Sequence, residues 1–230
     1  MVPKILITGA TSGIGAALAA RYTGRAELLL AGRRARSEIV LPDGAHYVEA
    51  DQLSPEAATR QVLAAIRRLG WTTLDRAILN AGAGWSGDPV LEPPDTIRAT
   101  LDANLFAAVA LAHGLSPLLD DGELVLIGST ARRGAPQFAS YAAAKAGLDG
   151  LARALGEEWR GRVRVKVIHP GPTATDIHAK AGFDPGRARA LFASPESMAR
   201  LIERAITARR NRHTISFPQY LAAAVTPWRR

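Results

Sequence analysis

The chain has 230 residues, of which 47% are hydrophobic and 22% are charged, and it contains no cysteine. This length suits a single domain over residues 1–230, and the lack of thiols excludes disulfides and cysteine-bound zinc. The net charge of +8 comes mainly from arginines scattered over separate segments, so we expect no nucleic-acid partner. The five histidines show no ligand spacing, and we expect no metal.

Apolar runs in the sequence fall short of the roughly 20 residues that span a bilayer, and the N-terminal run is too short for a signal sequence. We therefore expect a soluble, cytoplasmic protein that does not associate with membranes.

Short apolar runs alternate along the chain with longer segments of helical period, which is typical of a parallel sheet covered by helices. Ser54 and Ser194 each precede a Pro-Glu pair, a pattern that predicts a helix start. Residues 32–44 are too few for a long crossover helix, so we predict turns there. The predicted strands are 4–8, 27–31, 46–50, 76–79, 123–127, 163–168 and 214–217, and the predicted helices are 13–22, 54–69, 94–119, 138–159 and 194–209.

Two glycine-containing loops follow predicted strands, at the sheet edge where ligands of such folds bind. Residues 8–15 read Thr-Gly-Ala-Thr-Ser-Gly-Ile-Gly and enter a helix, whose N-terminus favours a phosphate. The spacing Gly-x3-Gly-x-Gly differs from Gly-x-Gly-x-x-Gly, and a purely structural turn explains it equally well. Residues 80–82, Asn-Ala-Gly, follow the fourth strand and could also be a plain capped loop.

Tyr141 and Lys145 lie four residues apart on a predicted helix, so they share one face. Lowering a phenol pKa from 10 to about 7 takes roughly 4 kcal/mol. A lysine at about 5 Å offers roughly 3 kcal/mol at an effective dielectric near 20. The pair could therefore form an acid/base, although a surface Tyr and Lys on any helix would show the same spacing.

Together with Asn104, Ser129 and the Pro-Gly-Pro-Thr-Ala-Thr run at 170–175, these segments resemble the short-chain dehydrogenase/reductase family in order and spacing. The resemblance covers about residues 3–176. It implies an α/β, doubly wound Rossmann-like fold with about seven mostly parallel strands, and hydride transfer between a nicotinamide and a carbonyl or secondary alcohol of a small substrate.

The family's roles can be carried onto matching positions. Tyr141 would transfer the proton, Ser129 would bind the substrate oxygen, and Lys145 would hold the ribose and lower the Tyr141 pKa. Asn104 would support a proton-relay water. The implied cofactor-binding residues are Gly9, Thr11, Ser12, Gly13, Ile14 and Gly15 for the pyrophosphate, Asp51, Asn80, Ala81 and Gly82 near the adenosine, Tyr141 and Lys145, and Pro170, Gly171, Thr173 and Thr175 around the nicotinamide.

One departure concerns the serine. The distance from Ser129 to Tyr141 is one residue shorter than the family pattern, so Ser129 is assigned by placing a deletion between 132 and 138. An ungapped match would instead put Gly128 at that position and remove the hydroxyl. Thr130 is a further alternative.

The end of the second strand predicts NADP(H) rather than NAD(H). An NAD enzyme places a carboxylate there for the ribose hydroxyls, and Gly32 occupies that position here. Arg33 and Arg34 follow, and a guanidinium binds a phosphate with paired hydrogen bonds. Two arginines on an ordinary surface turn are the competing interpretation.

Further expectations concern the oligomeric state, the C-terminal part of the chain and an alternative function. We expect a homodimer or homotetramer formed through helices 94–119 and 138–159, the latter carrying Ala142, Ala143, Ala146, Gly147, Ala154 and Gly156. Residues 176–193 would form a substrate lid, whose basic residues Lys180, Arg187 and Arg189 suit a small or anionic substrate, and 218–230 would be a C-terminal tail. A non-catalytic NADP(H)-binding regulatory or structural homologue is the alternative function.

Overall fold

A sheet of seven parallel strands forms the centre of the computed structural model, which describes residues 2–177 and 181–216. The spatial order is β3-β2-β1-β4-β5-β6-β7. The strands before β4 extend the sheet to one side of β1 and the later strands extend it to the other, so the strand order reverses between β1 and β4. This confirms the predicted doubly wound α/β fold. The strands are β1 Lys4–Thr8, β2 Glu27–Gly32, β3 His46–Glu49, β4 Arg76–Leu79, β5 Glu123–Ile127, β6 Arg164–Pro170 and β7 Arg212–Ile215.

Helices cover both faces of this sheet, as right-handed crossovers between parallel strands require. The serine at 194 caps its helix, since its Oγ accepts the Ser197 N–H at 3.1 Å, whereas the Ser54 side chain makes no such bond. The helices are α1 Gly13–Tyr22, α2 Pro55–Arg68, α3 Pro94–Leu101, α4 Ala107–Leu115, α5 Ala139–Glu158 and α6 Pro195–Thr207.

The two faces of the sheet carry separate cores. Successive β1 residues alternate between them: Leu6 packs on the side of α2, α4 and α5, while Ile5 and Ile7 pack on the side of α1 and α6. Each strand is thus apolar on both faces, which explains why the strands appear in the sequence as continuous apolar runs rather than alternating ones.

The last strand begins and ends two residues earlier than predicted. We expected 214–217, whereas β7 spans Arg212–Ile215, and Phe217 lies outside the described residues together with the predicted tail at 218–230. The segment Arg212-His-Thr-Ile carries only one fully buried residue, and therefore gives little apolar signal. Its register comes from pairing with β6.

The long helix predicted at 94–119 is interrupted in the structure. Between α3 and α4, residues Asp102–Phe106 form a π-helical turn, closed by the Ala107 N–H donating to the Asp102 carbonyl. The extra residue in such a turn changes the direction of the side chains within it. Asn104 lies in this turn, so the interruption positions a predicted site residue.

Within the described residues, the segment Pro94–Leu118 is long and apolar enough to cross a membrane by length and composition alone. Its inner face, however, belongs to the protein core, where Leu111, Ala112 and Leu115 are fully buried. Core helices commonly pass this test, so the segment is weak evidence for a membrane span.

Candidate active site

A cleft of about 850 Å³ opens at the carboxyl edge of the sheet, where the loops after β1, β4, β5 and β6 meet. This is the edge expected to bind a ligand in an open parallel sheet, beside the point where the strand order reverses. Most of the predicted site residues line it.

The loops after β1 and β4 are in direct contact. Gly9 has a φ of +63°, and a Cβ at this position would come within 2.8 Å of the Ala81 Cα atom. Glycine is therefore required both for the turn and for the close approach. The Asn80 side-chain amide donates to the carbonyls of Thr8 and Gly9 at 3.1 and 3.3 Å. Asn80 thus holds the glycine loop, and its effect on a ligand would be exerted through that loop.

The N-terminal end of α1 faces the cleft. Thr11, Ser12, Gly13 and Ile14 line it, and the Ser12 side chain makes no capping hydrogen bond within the described residues. Backbone N–H groups and hydroxyls at a helix N-terminus are suited to bind phosphate oxygens. Gly15 lies behind the loop instead, because a Cβ there would come within 2.2 Å of the Gly9 carbonyl oxygen.

A side chain at Gly32, the end of β2, would meet close neighbours. A Cβ on Gly32 would come within 2.8 Å of the Thr11 methyl and 3.1 Å of the Tyr47 hydroxyl. Arg33 and Arg34 both line the cleft, and neither guanidinium has a hydrogen bond or ion pair within the described part of the chain. Asp51 lines the same end, with its carboxylate accepting the Leu53 N–H at 3.1 Å.

Tyr141, Ser129 and Lys145 meet in the middle of the cleft. The Ser129 hydroxyl lies close enough to the Tyr141 phenol to lower its pKa, and its Oγ accepts the Ala131 N–H at 3.1 Å. The Lys145 ammonium lies 5.7 Å from the centre of the Tyr141 ring and donates to the Ile127 carbonyl at 3.0 Å. The i, i+4 spacing thus places both side chains at one site, and the third group comes from the end of β5.

The charge state of this pair differs from our expectation. Burial raises the pKa of the Tyr141 phenol above its usual value of 10, and the nearby Ser129 hydroxyl only partly offsets this. Burial also lowers the pKa of Lys145 to about 8. The Coulomb argument from sequence took both groups at ordinary exposure, whereas desolvation dominates in the folded protein. The phenol is therefore neutral here, the form that can donate a proton.

The surroundings of Gly128 help to decide which residue, Gly128, Ser129 or Thr130, occupies the position of the family's serine. A Cβ on Gly128 would lie 2.2 Å from Nδ1 of the His169 ring, so no side chain can stand there in this packing. Ser129 lines the cleft together with Tyr141 and lowers the pKa of its phenol, so the geometry favours Ser129 over Gly128 as the source of the hydroxyl. Thr130 also lines the cleft but begins the next helical turn. In the following loop, Gln137 has a φ of +68°.

Asn104 lies under the Lys145 side of the cleft. Its amide nitrogen donates to the carbonyls of Ala83 and Thr100 at 2.5 and 2.8 Å, which leaves Oδ1 pointing inward. That oxygen is buried and has no hydrogen-bond partner within the described residues. Such an atom is normally satisfied by water or a ligand, which fits a role beside a bound cofactor.

The segment after β6 forms the far wall. Pro170, Gly171, Thr173 and Thr175 all line the cleft. The Thr173 hydroxyl donates to the Gly171 carbonyl at 3.0 Å, and the Thr175 methyl would lie 2.9 Å from a Cβ on Gly13. Thr175 therefore packs on the glycine loop, and the rest of this wall borders the cleft beside that contact.

A buried charge network behind the site was missed in the sequence. The Asp149 carboxylate accepts a hydrogen bond from His169 Nε2 at 3.0 Å and pairs with Arg132 at 3.0 Å and Arg212 at 2.6 Å. It links α5, the end of β6 and the turn after Ser129. The available signal was that Asp149 continues the i, i+4 series of Tyr141 and Lys145 on a helix face that is otherwise buried.

This network predicts acid sensitivity. Burial lowers the pKa of His169 from 6.5 to about 4, although Asp149 raises it. Between these values the unfolded chain binds a proton that the folded chain does not, so folding stability falls as pH falls. We expect a loss of about 2 kcal/mol from this histidine between pH 7.5 and 5, measured by urea unfolding.

The matched variant is His169→Gln, which removes the titrating group while keeping a polar side chain. Its unfolding free energy should change less between the two pH values than that of the wild type. An equal pH dependence of both proteins would assign the acid sensitivity to other groups.

Comparisons with known proteins agree with this geometry. Residues 3–185 match the family model described as short chain dehydrogenase. An uncharacterized oxidoreductase of Escherichia coli strain K12, YciK, is 32% identical over 193 residues, covering 77% of this chain and 76% of that protein.

Two solved structures are similar over nearly the whole chain. A short-chain dehydrogenase from Sphingobium yanoikuyae in complex with NADPH has a TM-score of 0.76 at 26% identity, covering 92% of this chain and 87% of that one. A 3-ketoacyl-(acyl-carrier-protein) reductase from Brucella melitensis complexed with NADH has a TM-score of 0.81 at 22% identity, covering 95% and 98%. The second likeness is evidence for the fold alone.

Proposed function

Since the chain belongs to the short chain dehydrogenase family, we propose that it is an NADP(H)-dependent oxidoreductase that interconverts a carbonyl and a secondary alcohol. The observation that carries this proposal is the meeting of Tyr141, Ser129 and Lys145 in one cleft, where the Lys145 ammonium lies 5.7 Å from the centre of the Tyr141 ring. A retained fold without turnover would not need this arrangement.

Each active-site residue has a separate role in the proposed reduction. When bound, the cofactor supplies the hydride for the carbonyl carbon. The Ser129 hydroxyl holds the carbonyl oxygen, and the neutral Tyr141 phenol donates its proton to the same oxygen as negative charge develops there. The nearby Lys145 ammonium stabilises the phenolate left behind. The Asn104 Oδ1, which has no hydrogen-bond partner in the described part of the chain, accepts from a water that returns the proton to this pair.

The cofactor would lie between the glycine loop and the wall after β6. Thr11, Ser12 and Gly13 offer N–H and hydroxyl donors to its phosphates. Thr173 and Thr175 face them from the opposite side. At the far end, crowding at Gly32 disfavours a carboxylate side chain. Arg33 and Arg34, whose guanidinium groups have no ion pair among the described residues, favour a 2′-phosphate over a free ribose hydroxyl.

The general test is an assay of NADPH oxidation with a panel of ketones and aldehydes. We expect turnover with at least one of them. NADPH binding without oxidation by any member would favour a non-catalytic cofactor-binding role instead.

Replacing Arg33 tests the cofactor preference. Arg33→Ala should weaken NADPH binding about tenfold or more, because charge-assisted hydrogen bonds contribute roughly 1.5–3 kcal/mol each. NADH affinity should change less than about twofold, since NADH lacks the phosphate. Both dissociation constants can be measured by fluorescence titration. Arg36→Ala is the control, because Arg36 is exposed on the same segment and does not line the cleft. Equal affinity of the wild type for NADH and NADPH would contradict the assignment.

Self-association is the second proposal. Of the small residues on α5, Ala143, Ala146 and Ala154 are exposed, whereas Ala142 is buried and Gly147 is covered by Leu105. The exposed alanines leave a surface that a second copy can approach closely. We expect sedimentation at micromolar concentration to show a dimer or tetramer. A single 24.4 kDa species would contradict this.

We also propose that the protein acts in the cytoplasm on a small carbonyl or alcohol substrate. The inward face of the apolar segment Pro94–Leu118 lies in the core, which supports a location off the membrane. Cell fractionation tests this, and recovery of the activity with membranes would contradict it.

A further inference from the structure

The half of the cleft beyond Tyr141 is apolar. Its described walls come from the loop after β5, through Ala135, Pro136 and Phe138, and from the lid segment, through Phe183, Pro185 and Phe192. Small residues on the loop after β4, such as Gly84, complete it. Cofactor residues account for the opposite half, so these groups are available to a substrate.

Charged side chains are concentrated elsewhere in the cleft. Within residues 2–177 and 181–216, those that line it are Arg33, Arg34, Asp51, Lys145 and Asp176. The first three lie at the β2 end, and Lys145 is buried under Tyr141. Asp176 directly follows Thr175, which packs on the glycine loop.

The described basic residues of the lid add no charge to the lining of the cleft. We expected Arg187 and Arg189 to favour a small or anionic substrate, but both are exposed and neither lines the cleft. His178 and Lys180 lie outside the described residues. The described lid instead turns its aromatic side chains toward the cleft.

Aromatic rings form a continuous wall that ends at the phenol. The rings of Phe138 and Phe183 pack edge to face with centres 5.2 Å apart, and those of Phe138 and Tyr141 lie 6.3 Å apart. Edge-to-face pairs of this kind are attractive in addition to their buried area. A substrate whose carbonyl oxygen reaches Tyr141 would therefore place its adjoining group against the Phe138 ring.

Backbone hydrogen bonds hold this wall in place. The Ser86 N–H donates to the Ala181 carbonyl at 2.7 Å, which joins the loop after β4 to the lid. The Gly87 N–H donates to the Gln137 carbonyl at 3.0 Å, which joins the same loop to the segment before Phe138. The wall is thus a built surface rather than a set of loose side chains.

From this arrangement we infer that the substrate is an uncharged ketone, or the matching secondary alcohol, whose reacting carbon carries an aromatic or alicyclic group that packs on Phe138 and Phe183. The inference rests on the proposed function. An apolar ring gains by leaving water for this wall. A carboxylate placed there would lose its hydration, and among the described residues no cation lines this half of the cleft to replace it.

The test compares two methyl ketones that differ in the adjoining group, acetophenone and pyruvate, with NADPH as reductant. In the reaction the hydride of NADPH adds to the carbonyl carbon and a proton adds to the oxygen, giving NADP⁺ and the alcohol. We expect kcat/KM for acetophenone to exceed that for pyruvate by about 100-fold, the upper range for apolar discrimination.

Two variants test whether Phe138 and Phe183 cause the preference for acetophenone over pyruvate. Phe138→Ala should lower kcat/KM for acetophenone about tenfold or more while changing that for pyruvate less. Phe183→Arg should raise kcat/KM for pyruvate relative to that for acetophenone, because its guanidinium can pair with the carboxylate. This second variant keeps the test valid if Phe138→Ala loosens the start of α5. Leu191→Ala is the control, because Leu191 lies in the same lid, is exposed and does not line the cleft.

The outcomes separate the two proposals. Reduction of pyruvate as fast as acetophenone, with NADPH consumed, would overturn the inference and leave the oxidoreductase function standing. Bound NADPH that no ketone oxidises would overturn the function itself, and the inference with it. Unchanged selectivity in both phenylalanine variants would also overturn the inference.

Discussion

Tyr141→Phe should lower kcat about 100- to 10,000-fold, which is the range attributed to a positioned general acid. The ring still packs near Phe138, and only the hydroxyl that donates the proton is lost. NADPH affinity should therefore stay within about twofold of the wild type, since most of the cofactor-facing groups are unchanged. Steady-state kinetics and a fluorescence titration give the two values.

Tyr22→Phe is the matched control. Tyr22 is a buried tyrosine on α1, its hydroxyl contacts Arg76, and it does not line the cleft. The same chemical change there should leave kcat close to that of the wild type. A Tyr141→Phe variant with activity within a few-fold of the wild type would show that another group transfers the proton.

Lys145→Met should damage both the rate and cofactor binding. We expect kcat/KM to fall about 100-fold or more, with NADPH binding weakened about tenfold, because one ammonium serves the phenol and the ribose. Methionine keeps an apolar stem in the buried position and avoids the cavity that alanine would leave. Rate and affinity are measured as for Tyr141.

The pH dependence identifies the ammonium itself. Because burial lowers the pKa of Lys145 to about 8, the charge is present below this pH and lost above it. NADPH affinity of the wild type should therefore decline as pH rises through about 8, whereas that of Lys145→Met should not. Weakened turnover with unchanged cofactor affinity would argue against the double role.

The sequence by itself predicted the order of the strands and helices, apart from the break in helix 94–119, and most of the residues that line the cleft. Continuous apolar runs predicted the strands of a sheet buried on both faces, and the loops after those strands contain the glycines, Ser129 and the residues around Thr173 that line the cleft. These features depend on residues that are close together in the sequence, so they can be predicted without the tertiary structure.

Long-range packing decided the rest. The π-helical turn that aims Asn104 inward, the contact of Gly128 with His169, and the aromatic wall at Phe138 and Phe183 each join segments far apart in the chain or depend on them. The same holds for the charge of Tyr141, since spacing predicts which groups are neighbours but not how much water surrounds them. Desolvation is a property of the whole fold, and here it outweighs the pairwise attraction that the sequence predicts.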